Sequence, residues 1–194
     1  MKKIMFNDQY GLTEAVLDGR KTQTRRIAYE NPFKHIRSCG FIMEGKDKGK
    51  LAINAGNEIV AKSTYKIGEI VAIAQRYNDI PFNNEIFKGA GLSIGWSNKM
   101  FVKSDLMPHQ IKITNIRCER LQDISTDDCM KEGIFCSHID GIDDAYSCDA
   151  TNDIFKTKWW YRTPIQAYKT LSSKLHLHWD SNPLVFVYDF KLVK

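Results

Sequence analysis

Apolar positions along the chain recur first at strand spacing, then at helix spacing, with long polar stretches between. Lys3 to Phe6 reads as a short opening strand. Leu12, Ala15 and Val16 then stand at i, i+3 and i+4, which predicts an amphipathic helix over residues 8–18. Gly19 is the residue type that ends such a helix, because a left-handed backbone costs glycine nothing. Thr22, Thr24 and Arg26 alternate with Gln23, Arg25 and Ile27 as in a short strand. Residues 51–54 and 58–61 suggest a hairpin around Ala55-Gly56-Asn57, and residues 65–69 a turn into a strand over 70–77. That last run is apolar on both faces, so it is expected at the centre of a sheet, covered on both sides. Between 109 and 121, Ile111 and Ile113 fall out of phase with Ile116 and Cys118, which predicts a bulge near Asn115.

The second half carries two helix starts. Ser125-Thr126-Asp127-Asp128 combines a hydroxyl cap with acids in the first turn, and the helix should run to Glu132 and stop at Gly133. Thr163-Pro164 places a cap before a proline at the first helical position, with Ile165, Tyr168, Leu171 and Leu175 as the expected buried stripe. Asn182-Pro183 breaks the chain before a closing strand over 184–193. Glycine, asparagine and charge dominate 29–50, 78–107 and 135–152, which read as loop. The first two are expected to be insertions, the second a flap pinned to the body by Trp96 and Phe101. Strands separated mostly by turns predict an α+β fold: a curved, mostly antiparallel sheet or small barrel with helices on its rim. The whole of 1–194 reads as one domain. Repeated strand-helix-strand alternation is missing, as are the glycine spacings of nucleotide-binding loops.

Composition narrows this little. A net charge of +5 over 194 residues favours an anionic partner without demanding one. No apolar run approaches a membrane span, and the polar start is unlike an export signal, so the expected location is the cytoplasm. The five cysteines are odd in number and form no C-x-x-C pair, so they are expected to be free thiols. Cys129, Cys136, His138 and Cys148 lie close in sequence but fit no zinc spacing, and no metal or other cofactor is expected.

Chemistry concentrates at Gly19-Arg20-Lys21-Thr22-Gln23-Thr24-Arg25-Arg26, where a lysine and three arginines interleave with hydroxyls. With Glu132, Lys21 and Thr24 make a candidate constellation. A lysine acts as a base only when burial or neighbouring positive charge makes its ammonium acidic. Thr24 is a weak nucleophile that such a base would activate, and Glu132 can protonate a leaving nitrogen. The plainer alternative is a Lys21–Glu132 salt bridge beside an ordinary strand threonine. His176 and His178 would share a face if they lay on a strand. Trp159, Trp160 and Arg162 suit either base stacking beside phosphates or plain core anchoring.

Several stretches together resemble the ASCH-domain proteins of the PUA-like superfamily, in the longer form common in phages and prophages. They are Phe6-Asn7, the 17–26 corner with its G-x-K-x-x-T-x-R pattern, residues 65–69, Met107-Pro108, the run Arg117-Cys118-Glu119-Arg120-Leu121-Gln122-Asp123-Ile124-Ser125, Glu132-Gly133-Ile134 and 179–183. The resemblance runs end to end but skips the two insertions. It implies a small β-barrel with flanking helices whose cleft receives RNA or a nucleoside. Small bacterial N(4)-acetylcytidine amidohydrolases of that superfamily use a Lys, a Thr and a Glu at positions matching Lys21, Thr24 and Glu132. Arg20, Arg25, Arg26, Trp159, Trp160 and Arg162 are then the expected substrate or nucleic-acid contacts. Where many phage-type relatives carry Arg-Glu after the central strand, this chain has Ala74-Gln75. A non-catalytic RNA-binding module or a ribonuclease is the other reading.

Overall fold

The computed structural model describes residues 1–29, 36, 38–80, 94–139, 142–149 and 159–193. Residues 30–35 and 37 of the first expected insertion, and 81–93 of the second, lie outside them. In chain order the elements are β1 (Lys3–Ile4), α1 (Leu12–Leu17), β2 (Gln23–Tyr29), β3 (Ser38–Phe41), β4 (Leu51–Ala55), β5 (Glu58–Lys62), β6 (Ile70–Ile73), β7 (Gln110–Arg120), α2 (Thr126–Lys131), β8 (Phe135–Ile139), β9 (Ile142–Ser147), α3 (Pro164–Lys174) and β10 (Leu184–Leu192).

β7 and β10 form the long antiparallel pair of a five-stranded sheet with the order β1-β6-β7-β10-β2. Only the β1–β6 pairing is parallel. Leu184, Val185, Phe186, Val187 and Tyr188 are all buried, as expected for a strand covered on both faces. Ile113 opposes Phe190 while Asn115 opposes Asp189, so Thr114 is the extra residue of a bulge where the apolar phase changes. β3, β4 and β5 form an antiparallel three-stranded sheet, with β5 alongside β2, and β8 pairs with β9. The fold is mixed α and β with mostly antiparallel strands. Among the described residues the strands form three separate sheets and no closed barrel. No helix among them is long and apolar enough to cross a membrane.

Several expectations are corrected. The first helix is shorter: Gly11, at φ 64°, divides a 3-10 turn over Asp8–Tyr10 from α1. The strand expected over 70–77 ends at Ile73, and Tyr77 opens a 3-10 turn. The first insertion contains β3, which pairs with β4. Of the stretch expected as loop over 135–152, residues 135–139 and 142–147 hold the paired strands β8 and β9, while 140–141 and 150–152 lie outside the described residues. The pair is supported by a Tyr146–Tyr161 bridge and by Phe135 against Trp160. The aspartates there misled the reading, since a partly exposed hairpin tolerates them. In α3 Tyr168 and Leu171 are buried and Leu175 is partly buried against the core, as expected, whereas Ile165 is exposed and Pro164 and Ala167 complete the buried face. Trp96 and Phe101 are exposed and do not pin the second insertion. Its described part is held instead by Gly95, packed on the Tyr77 ring, and by Lys3 and Lys99.

Candidate active site

The basic corner folds inward. After α1, Gly19 takes φ 76°, and the Lys21 amide donates to the Ala15 carbonyl at 2.8 Å. The Thr22 amide reaches Lys131 O at 2.9 Å, tying the corner to the end of α2. α2 starts on Ser125, whose hydroxyl accepts from the Asp128 amide. It ends with Glu132 as cap and Gly133 at φ 99°. A Cβ on Gly133 would sit 3.3 Å from the Leu12 side chain and 3.6 Å from that of Lys21. The bare glycine therefore lets α1, Lys21 and Glu132 pack together.

Lys21 is 2% exposed and Glu132 3%. The Lys21 Nζ donates to Glu132 Oε2 at 2.6 Å, to Glu132 O at 2.7 Å and to Gln23 O at 2.7 Å. Three acceptors around one nitrogen match the three protons of an ammonium. Burial nevertheless pushes the Lys21 pKa below its ordinary value. Glu132 pulls it back up, and the charges of Arg26 and Arg25 push it down again.

Arg25 is 1% exposed and sits at the heart of an ion network. Its Nε donates to Glu119 Oε1 at 3.0 Å. One terminal nitrogen donates to Gln23 Oε1 at 2.6 Å and Glu132 Oε1 at 3.0 Å; the other donates to Glu119 Oε1 at 2.5 Å and Asp128 Oδ2 at 3.2 Å. Burial opposes its charge, but Glu132, Tyr168 and Glu119 more than offset this and raise its pKa. Arg117 backs the network from β7 through Glu119, Asp128 and Asp189, and Gln23 closes it by donating to Asp189 Oδ1 at 2.6 Å. Every N–H of the guanidinium is committed, so Arg25 holds Glu132 in place and has no donor left for a ligand. The Tyr168 ring lies under that guanidinium, 5.8 Å away, with its buried hydroxyl finding no hydrogen-bond partner among the described residues.

Above this floor opens a cleft of about 450 Å³. Lys21, Thr24, Arg25 and Glu132 line it at the bottom, Phe6, Leu12, Leu175 and Leu177 supply apolar wall, and Asp8, Arg26 and Lys99 are charged members of its lining. Thr24 is itself 3% exposed. Lys99 was not expected here: it comes from the second insertion and bonds to Phe6 O and, at 2.8 Å, to Asp8 Oδ1.

The other expected contacts lie elsewhere. Arg20 pairs with Asp18 at 3.0 Å and does not line the cleft. Trp159 and Arg162 are exposed, and Trp160 packs on Phe135; none of the three lines it. His176 and His178 are not on a strand. They follow α3 with left-handed backbones (φ 56° and 52°), beside Trp179 and Asp180 in a separate hollow. Among the described residues no cluster of three or more metal-ligating side chains is present. Sequence reasoning missed the network acids. The alternation of Arg117 and Glu119 on one strand face was the available signal, whereas Asp128 and Asp189 had none. Comparison with protein-family models, curated proteins and solved structures gave no match.

Proposed function

We propose that this cleft hydrolyses an amide, removing an acyl group from the exocyclic amine of a modified cytidine with Lys21, Thr24 and Glu132 as the reacting groups. The observation that carries the reading is the meeting of these three residues at the floor of one partly apolar cleft, although Glu132 lies 111 residues from Lys21. The ASCH-like sequence pattern supports the same reading, and with it the proposal that the curved sheet is a variant of the PUA-like barrel.

The short Lys21–Glu132 bond is the natural track for the first proton. With substrate in place and water excluded, Lys21 passes a proton to Glu132 Oε2, a transfer eased by the burial that lowers the lysine's pKa. The amine so freed takes the Thr24 proton as Oγ1 attacks the acyl carbon. Glu132 then protonates the departing exocyclic nitrogen, the C–N bond breaks, and an acyl-threonine remains with Lys21 again an ammonium and Glu132 a carboxylate. In the second half Glu132 takes a proton from water as its oxygen attacks the ester, and Lys21 returns one to Thr24. The carboxylic acid leaves, and proton transfer from Glu132 to Lys21 restores the ion pair. Arg25 fixes the rotamer of Glu132 throughout.

A second reading, an RNA-binding module without turnover or a ribonuclease, draws on the exposed Trp159 and Arg162, which suit base stacking beside phosphate. The test is incubation of purified protein with N(4)-acetylcytidine, following cytidine by chromatography. Wild-type turnover is expected, with a loss on the order of 10⁴-fold or more in Thr24→Val and recovery in Thr24→Ser. A folded wild type that releases no cytidine sinks the hydrolase reading.

A further inference from the structure

Arg26 and Lys99 come from different parts of the chain and converge on one lip of the cleft. Arg26 donates to the Met5 carbonyl at 2.7 Å, and Lys99 donates to the next carbonyl, that of Phe6. Both line the cleft together with the Met5–Gln9 segment. The two deeper cations, Lys21 and Arg25, are taken up by Glu132 and the network behind it. The two on the lip are not equally engaged. Lys99 shares Asp8, and among the described residues the Arg26 guanidinium has no carboxylate partner. Among the described residues four cations and two carboxylates line the cleft, and the excess positive charge lies at its lip.

We propose that this lip is a phosphate subsite, and that the substrate is a nucleotide carrying a terminal phosphomonoester rather than a free nucleoside. The inference rests on the hydrolase reading for the identity of the base, but not for the subsite itself. With the base against Phe6 and the leucines, the ribose points the 5′ end outward, and a dianion there meets a guanidinium and an ammonium. Arg26 supplies the fixed, planar donor set and Lys99 the mobile charge, which turns from Asp8 to the phosphate. Lys99 belongs to the 78–107 insertion, so the insertion's role is to set substrate class.

Binding of cytidine and cytidine 5′-monophosphate to the full chain, measured by titration calorimetry at low salt, tests the subsite without needing turnover. The monophosphate is expected to bind about tenfold tighter or more. Arg26→Gln and Lys99→Gln should each weaken monophosphate binding more than cytidine binding and so remove most of that advantage. Asp8→Asn, which frees Lys99, should strengthen monophosphate binding, a gain that misfolding does not imitate. Equal affinity for the two ligands, or an advantage untouched by both variants, overturns the proposal. Tighter binding of a short cytidine-containing RNA than of the monophosphate overturns the phosphomonoester assignment in favour of a phosphodiester. The two ideas fail separately. Acetylcytidine turnover without phosphate preference removes the subsite alone, and phosphate-dependent binding without turnover removes the hydrolase alone.

Discussion

At the scale of single residues, Lys21 and Glu132 form a deeply buried pair joined at 2.6 Å. Removing one member of a buried pair leaves the other uncompensated, which costs about 3–5 kcal/mol. Lys21→Met should therefore lower the free energy of urea unfolding by about that amount, with the loss shared between Glu132 and the two carbonyls it serves. A loss within experimental error would mean that the lysine is held neutral. That Lys21, Thr24 and Glu132 would share one cleft was legible in the sequence because the G-x-K-x-x-T spacing and the Glu-Gly helix stop are local patterns. Arg25 was legible as a residue and misread in role. Nothing local distinguishes an arginine that touches substrate from one whose donors are all taken by Glu119, Asp128, Glu132 and Gln23. That difference depends on acids 94 to 107 residues away.

At the scale of elements, the site depends on how α2 ends. Gly133 serves as a left-handed stop and as the gap into which Lys21 and Leu12 pack. Gly133→Ala introduces a methyl group into a backbone at φ 99° and against both side chains. The expected result is a destabilisation of about 1–3 kcal/mol by thermal or urea unfolding, with kcat reduced more than KM is raised, because Glu132 moves relative to Lys21. Unchanged stability and turnover would show that the corner adapts freely. Both helix starts were readable, since Ser125 and Thr163 carry their caps in sequence. The β8–β9 hairpin was not, because its pairing is reinforced by Tyr161 and Trp160 from a distant stretch. The buried face of α3 was readable from Tyr168 and Leu171, while small Ala167 did not announce itself and Ile165 turned out exposed.

At the scale of the whole molecule, the ion network gives acid sensitivity a definite sign. Burial opposes ionisation of Asp128. Hydrogen bonds from Lys131 and Gln23 and the charges of Arg117 and Arg25 outweigh it, holding the carboxyl below its ordinary value of 3.8. A folded-state pKa below the unfolded one means that the stabilisation is present above pH 3.8 and is lost as pH falls through the folded value. Asp128→Asn should accordingly be less stable than wild type at neutral pH, with the gap narrowing below pH 3.8 in urea titrations. A gap that stays constant with pH would sever the network from acid unfolding. The order of the large sheet has a further consequence for how the protein is made. β10 lies between β2, which carries Thr24 and Arg25, and β7, which carries Glu119. While a ribosome is still translating residues 184–192, β2 has no β10 to join and Arg25 has no fixed path to its carboxylates. Until then β2 lacks the strand that joins it to the large sheet, so the corner presenting Lys21 and Thr24 is expected to be framed only once synthesis has passed β10.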